Sequence, residues 1–160
     1  SAALDFMRGV DQQEAAQPVD ITALIESLQA DAREVGGDVT IEGAAQSAFR
    51  GHAQTLKRCL SNLIDNALKY GQRAAIVVAD SPAALTIIVR DEGPGIPEPE
   101  LERVFEPFQR LEASRNRATG GSGLGLTIAR NIARAHGGSL CLRNRPGGGL
   151  EAVLTLPRQD

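Results

Sequence analysis

The sequence predicts an α+β fold: a two-layer α/β sandwich whose mixed sheet is covered on one face by helices. Three observations carry that prediction. Apolar residues recur at helical spacing in three long segments, Ile21–Val35, Ala53–Tyr70 and Leu124–Ala135. Short β-rich runs lie mostly beside one another along the chain instead of alternating strictly with helices. Finally, 160 residues with 42% hydrophobic and 23% charged content suit one globular core that needs no metal or disulfide staple.

Taken in order, residues 1 to about 10 read as the end of a helix, with Leu4, Phe6 and Met7 offering an incomplete apolar face. Asp11 to Gln17 is polar and reads as a linker closed by Pro18, dividing the chain into a helix tail with its linker (1–17) and a domain (18–160). Ile21, Leu24, Ile25 and Leu28 mark the first full helix, which Gly36-Gly37 stops. Val39-Thr40-Ile41 and Ser47-Ala48-Phe49 read as short strands around Gly43. Along Ala53–Tyr70, Leu56, Leu60, Leu63, Ile64, Ala67 and Leu68 form one apolar side. Asn62, Asn66, Lys69 and Tyr70 cluster within about 100° on another, so this helix can bury one face and present four polar side chains to a ligand.

Strands are predicted at Ala75–Ala79 and Leu85–Arg90, joined by a turn at Asp80-Ser81-Pro82. A short helix from about Pro99 to Val104 and a glycine-ended loop over 109–122 follow. After the third helix, Leu140–Arg143 and Leu150–Leu156 read as a closing hairpin over Pro146-Gly147-Gly148-Gly149.

A net charge of −3 argues against a broad nucleic-acid or anionic-membrane surface. Cys59 and Cys141 have neither metal-ligand nor disulfide spacing; both read as small core residues in a reducing compartment. No membrane span or signal peptide is visible, and a start at Ser1 suggests a piece of a longer protein.

Chemistry concentrates in glycine-bearing segments. Asp91-Glu92-Gly93-Pro94-Gly95-Ile96 follows an apolar strand, and Gly120-Gly121-Ser122-Gly123-Leu124-Gly125-Leu126 opens a helix. Glycines let backbone amides approach an anion, and a helix start adds free N–H groups. With the oxygen donors Asn62 and Asn66, which suit a hard cation, these parts point to a magnesium–nucleotide site. No Gly-Lys pair occurs, so this is not a Walker loop, and the dinucleotide glycine spacing is not met.

These residues resemble a family. Asn62 to Tyr70 is similar to the N box of sensor histidine kinases, and Asp91 to Pro97 to their first glycine box. Phe105-Glu106-Pro107-Phe108 resembles the F box, and Gly121 to Leu126 the second glycine box; His136-Gly137-Gly138 and Thr155-Leu156-Pro157 resemble the family's ending. The resemblance runs from about Pro18 to Pro157, and five segments in register make it specific.

It implies the Bergerat ATP-binding fold, with ATP and Mg²⁺ as ligands. By the same resemblance Asn66 offers an oxygen to Mg²⁺ with Asn62 in support, Lys69 neutralises the terminal phosphate, and Tyr70 packs on the adenine. Asp91 accepts from the adenine amino group, with Gly93, Gly95 and Ile96 shaping the base pocket. Gly121, Ser122, Gly123, Leu124, Gly125 and Leu126 carry the lid and its phosphate contacts, while Phe105 and Phe108 anchor the lid base. Arg110 and Arg115 match positions that approach the phosphates or the docked acceptor helix; Arg103 and Arg117 read equally as solvated charges.

The family phosphorylates a histidine, yet neither His52 nor His136 stands in the expected context, so the acceptor lies outside this chain. The implied partners are a phosphoacceptor helical hairpin and a response regulator, with a monomeric fragment and a homodimeric parent. The implied location is a cytoplasmic domain of a parent anchored in a bacterial inner membrane. A hydrolytic ATPase of the same fold is the alternative; Asp65, the nearest acid in the N-box helix, stands in a histidine-kinase-like position.

Overall fold

Five strands make the central sheet of this computed structural model, which describes residues 15–106 and 124–158. In chain order the elements are β1 (Gln17–Val19), α1 (Ile21–Glu34), β2 (Asp38–Gly43), β3 (Phe49–Gly51), α2 (Ala53–Gly71), β4 (Arg73–Asp80) and β5 (Ala84–Arg90). Two 3₁₀ turns (Glu98–Glu100 and Arg103–Phe105), α3 (Gly125–Ala135), β6 (Ser139–Asn144) and β7 (Leu150–Pro157) complete it. The sheet order is β2-β4-β5-β7-β6, with β2 and β4 parallel and every other pair antiparallel. A parallel pair needs a crossover, and α2 lies within the one that joins β2 to β4.

Strand alternation sorts the two faces. Val39, Ile76, Val78, Leu85, Ile87, Val89, Leu140, Leu142, Leu154 and Leu156 point to the helices and are buried. Each such side chain contributes about 1.5–3 kcal/mol by leaving water. From above, α2 supplies Leu56, Leu60, Leu63, Ile64 and Ala67, and α3 supplies Ala129, Ile132 and Ala133. The opposite face stays partly open. There Arg90 and Arg143 flank Glu151, whose carboxylate both bond. Burial works to raise the Glu151 pKa, but the hydrogen bonds and charges of the two arginines outweigh it and hold the carboxyl below its ordinary value.

Local chemistry explains the helix ends. Asp20 caps α1 by accepting from the Ala23 amide at 3.0 Å. At the other end Gly36 takes φ +86° and the Gly37 amide bonds the Ala32 carbonyl at 2.8 Å.

Four expectations need correction. The polar stretch before Pro18 ends in a strand, because Gln17–Val19 pairs with β3 in a separate two-stranded sheet. The strand expected at Ser47–Phe49 begins only at Phe49. The carbonyls of Ser47 and Ala48 are instead taken by the Arg158 guanidinium, so they have no need of a ladder. The helix expected at Pro99–Val104 is two 3₁₀ turns. Pro97 and Pro99 lack amide donors, and the bonds that form run from Glu100 N to Pro97 O and from Phe105 N to Glu102 O. Cys59 is buried as expected, but Cys141 is exposed: alternation on β6 buries Leu140 and Leu142 and turns the residue between them to the open face.

The proposed tail over 1–10 and the whole of the loop expected at 109–122 lie outside the described residues.

Candidate nucleotide site

Three elements converge where β5 ends: the C-terminal half of α2, the loop after β5, and the start of α3. Asn62, Asn66 and Tyr70 on α2 are partly exposed, and Lys69 is exposed. The helix runs into the glycine loop itself. A side chain at Gly71 would place its Cβ 2.2 Å from the Asp91 Cβ, and one at Gly93 would lie 2.4 Å from the Tyr70 carbonyl oxygen. The Glu92 amide closes the contact by bonding the Gly71 carbonyl at 3.2 Å. Thus Tyr70 and Asp91, distant in sequence, meet across two glycines.

Asp91 is only 4% exposed. Its Oδ1 accepts from the Gly93 amide at 2.9 Å and from the Leu150 amide at 3.1 Å. Both bonds fall on Oδ1; Oδ2 takes none among the described residues. A carboxylate fixed by one oxygen and open at the other is suited to accept from an amino group.

Asn62 reaches the third element: its Nδ2 donates to the Gly125 carbonyl at 3.1 Å. One helical turn on, Asn66 has no side-chain bond among the described residues. Leu124 caps α3, exposed Gly125 begins it, and Leu126 packs on the core. Below this junction, Thr127 Oγ1 donates to the Phe105 carbonyl, and the Arg130 guanidinium lies 4.3 Å from the buried Phe105 ring centroid. Phe105 therefore anchors the chain just before residue 107, on the near side of α3. Arg103 is a solvated charge, 3.3 Å from Glu100. Phe108, Arg110, Arg115, Arg117, Gly121, Ser122 and Gly123 lie outside the described residues.

Sequence reasoning missed the support beneath Asp91. Arg145 Nη1 donates to the Asp91 carbonyl at 2.8 Å, and a Cβ on Gly149 would lie 2.2 Å from that same oxygen. Asn144 Oδ1 accepts from the Ile96 amide at 2.9 Å while its Nδ2 donates to the Ile96 carbonyl at 2.7 Å. The Pro146–Gly149 turn was visible in sequence; that it braces Asp91 depended on strand register.

The rings of the two histidines pack edge to face, with centroids 5.2 Å apart. His136 is buried, its Nε2 accepting from the His52 amide at 3.1 Å and its Nδ1 facing the Ile132 carbonyl at 2.9 Å. With Nε2 accepting, Nδ1 is the nitrogen placed to donate to that carbonyl.

The fold and this junction define a nucleotide-binding class of domain. Comparison with known proteins agrees. Residues 51–160 match the family described as histidine kinase-, DNA gyrase B- and HSP90-like ATPase. The sensor histidine kinase GtrS of Pseudomonas aeruginosa is 44% identical over 156 residues, covering 98% of this chain and 32% of that protein. The sensor protein CutS of Streptomyces coelicolor is 38% identical, covering 88% of this chain and 36% of that protein. The ATP-binding domain of PrrB from Mycobacterium tuberculosis superimposes with a TM-score of 0.74 at 31% identity, covering 92% of this chain and all of that one. A mycobacterial sensor histidine kinase, MprB, gives 0.77 at 29% identity, covering 91% of this chain and 99% of that one. The chain belongs to this ATPase family, and within it to the catalytic ATP-binding domains of sensor histidine kinases. It spans about a third of the length of the curated relatives it matches.

Proposed function

We propose that this domain binds ATP together with Mg²⁺ and presents the γ-phosphoryl group to a histidine on a helical hairpin elsewhere in its parent kinase. The observation that carries the reading is Asp91: a buried carboxylate with Oδ1 tied to two backbone amides and Oδ2 left for the adenine amino group. Beside it, Tyr70 packs on the base, and Gly93, Gly95 and Ile96 line the pocket. Lys69 offers a point charge to the terminal phosphate. The start of α3 at Leu124–Leu126 turns backbone amides to the phosphates, with Gly121, Ser122 and Gly123 leading in.

The donor set fits magnesium held jointly with a triphosphate. Among the described residues there is no group of three His, Cys, Asp or Glu able to cage a metal alone. A magnesium ion carried on phosphates needs only one or two protein oxygens, and the neutral amide of Asn66 supplies one without repelling the triphosphate. Asn62, through its bond to Gly125, ties that turn of α2 to the phosphate-facing helix start. When bound, the ion supplies charge neutralisation at the phosphate oxygens. What this domain contributes to transfer is position and charge, and the resemblance assigns Arg110 and Arg115 to neutralising the phosphates or meeting the docked acceptor.

In the transfer the bond from phosphorus to the bridging oxygen of ADP breaks and a bond to an imidazole nitrogen forms. His136 cannot be that acceptor, since it is buried with both ring nitrogens engaged. By the same reading the parent is a homodimer joined through its hairpin and signals to a response regulator, with this domain on the cytoplasmic side of an anchored protein. Among the described residues no helix is long and apolar enough to cross a membrane.

The test uses γ-labelled ATP. Bound nucleotide with no label on this chain, and label on the parent's hairpin when that is added, is the expected result. Rapid phosphate release without any hairpin would favour a hydrolase instead.

A further inference from the structure

We propose that Asn144 is a positioning residue for adenine selection, acting through the Asp91 loop; the inference rests on the reading of Asp91 as the acceptor for the adenine amino group.

The geometry is specific. The Asn144 side-chain amide meets both polar backbone atoms of Ile96, accepting from its N–H at 2.9 Å and donating to its C=O at 2.7 Å. It pairs with that residue as a neighbouring strand would, although Ile96 belongs to no strand. The approach is close enough that a Cβ on Gly95, which sits at φ +77°, would lie 2.5 Å from Asn144 Oδ1.

Asn144 also stands opposite Leu150 in the β6–β7 register. Leu150 holds the other end of the same loop: its amide bonds Asp91 Oδ1, and its carbonyl accepts from the Asp91 amide at 2.9 Å. Arg145, the next residue, bonds the Asp91 carbonyl. One cross-strand pair therefore grips the 91–96 loop at both ends. Asn144 fixes where the loop leaves the hairpin, and so fixes the angle at which Asp91 Oδ2 meets a base.

Only an amide fills this role. A carboxylate of the same shape could still accept from the Ile96 amide, but its second oxygen would oppose the Ile96 carbonyl with no proton between them. It would also add negative charge beside Glu98, whose Oε1 lies 3.4 Å from Asn144 Nδ2.

The experiment measures equilibrium binding of Mg-ATP and of Mg-ITP, which carries a carbonyl where adenine has its amino group, to the wild-type chain and to N144D. Wild type should prefer ATP. In N144D, ATP affinity should fall about tenfold while ITP affinity stays within about twofold, so that the ratio collapses. An N144D chain that melts lower yet keeps the wild-type ratio would show a merely structural role and overturn the inference alone. A wild type that does not distinguish the two nucleotides would overturn the Asp91 reading and this inference together. Should N144D fail to fold, N144S, which keeps a hydroxyl able to donate or accept, replaces it. An intermediate ratio is then expected, and an unchanged one overturns the proposal.

Discussion

Gly71→Ala is the most exacting test of how α2 and the Asp91 loop fit together. Gly71 is the last residue of α2, and by helix propensity alone alanine should stabilise the domain by up to about 1 kcal/mol. The packing says otherwise. The added Cβ would lie 2.2 Å from Asp91 Cβ, 2.4 Å from its Cγ and 2.6 Å from its Oδ1. Ordinary carbon contacts are about 3.5–4.0 Å, so Asp91 must move by roughly 1 Å or more. That displacement strains at least one of the two amide bonds to Oδ1, each worth about 1.5–3 kcal/mol to a charged acceptor. Set against the propensity gain, the net loss should be about 2 kcal/mol, a fall in Tm of roughly 6–8 °C for a domain of this size. Because Oδ2 moves with the carboxylate, ATP affinity should drop at least about tenfold, equivalent to about 1.4 kcal/mol. Gly125→Ala is the control: its Cβ would meet nothing within 4 Å, so the fold should be unaffected. Differential scanning calorimetry and equilibrium ATP binding read both quantities. A Gly71→Ala chain as stable as wild type, binding ATP within about twofold, would refute the reasoning.

Two further predictions concern groups away from the base pocket. Asp80, whose side chain is 2% exposed, is held below its ordinary pKa chiefly by hydrogen bonds from Arg158, at 2.7 and 2.9 Å. A lowered carboxyl pKa contributes stability above the unfolded value, near 3.9, and loses it as pH falls through the folded one. Arg158→Met should therefore cost about 3 kcal/mol at pH 7. In denaturant titrations wild type should lose stability more steeply than the variant below about pH 4, and parallel curves would contradict this. Burial pushes the Cys59 thiol up to about 12, whereas Cys141 is exposed. At pH 8 a thiol reagent should therefore label Cys141 quickly and Cys59 only on unfolding; equal labelling rates would contradict the assigned burial.

Periodicity carried much of the fold. The helices predicted at Ile21–Val35, Ala53–Tyr70 and Leu124–Ala135 differ by one residue at one end from the observed Ile21–Glu34, Ala53–Gly71 and Gly125–Ala135. Their apolar spacing and glycine stops are local signals. β1 was not legible, because Gln17 and Pro18 carry no strand pattern and the segment is held by pairing with β3. The 44–48 bend was equally hidden, since its polar groups are satisfied by Arg158, Asp80 and Thr22 from distant positions. For the site, glycine and asparagine spacing marked segments that the structure brings together: the end of α2, the loop after β5 and the start of α3. Residues that hold them were not legible: Asn144, Arg145 and Gly149 acquire meaning only when the β6–β7 register sets them against Asp91 and Ile96.

The central claim is that Asp91 recognises the adenine of ATP. Asp91→Asn tests it most directly, because the amide keeps the shape of the carboxylate and its oxygen can still accept from the Gly93 and Leu150 amides. Its nitrogen would then face the adenine amino group, donor against donor. Calorimetric titration of Mg-ATP, with circular dichroism to confirm the fold, should show affinity lower by about a hundredfold or more in a chain that still folds. ATP affinity unchanged from wild type would contradict the claim and remove Asp91 from the site.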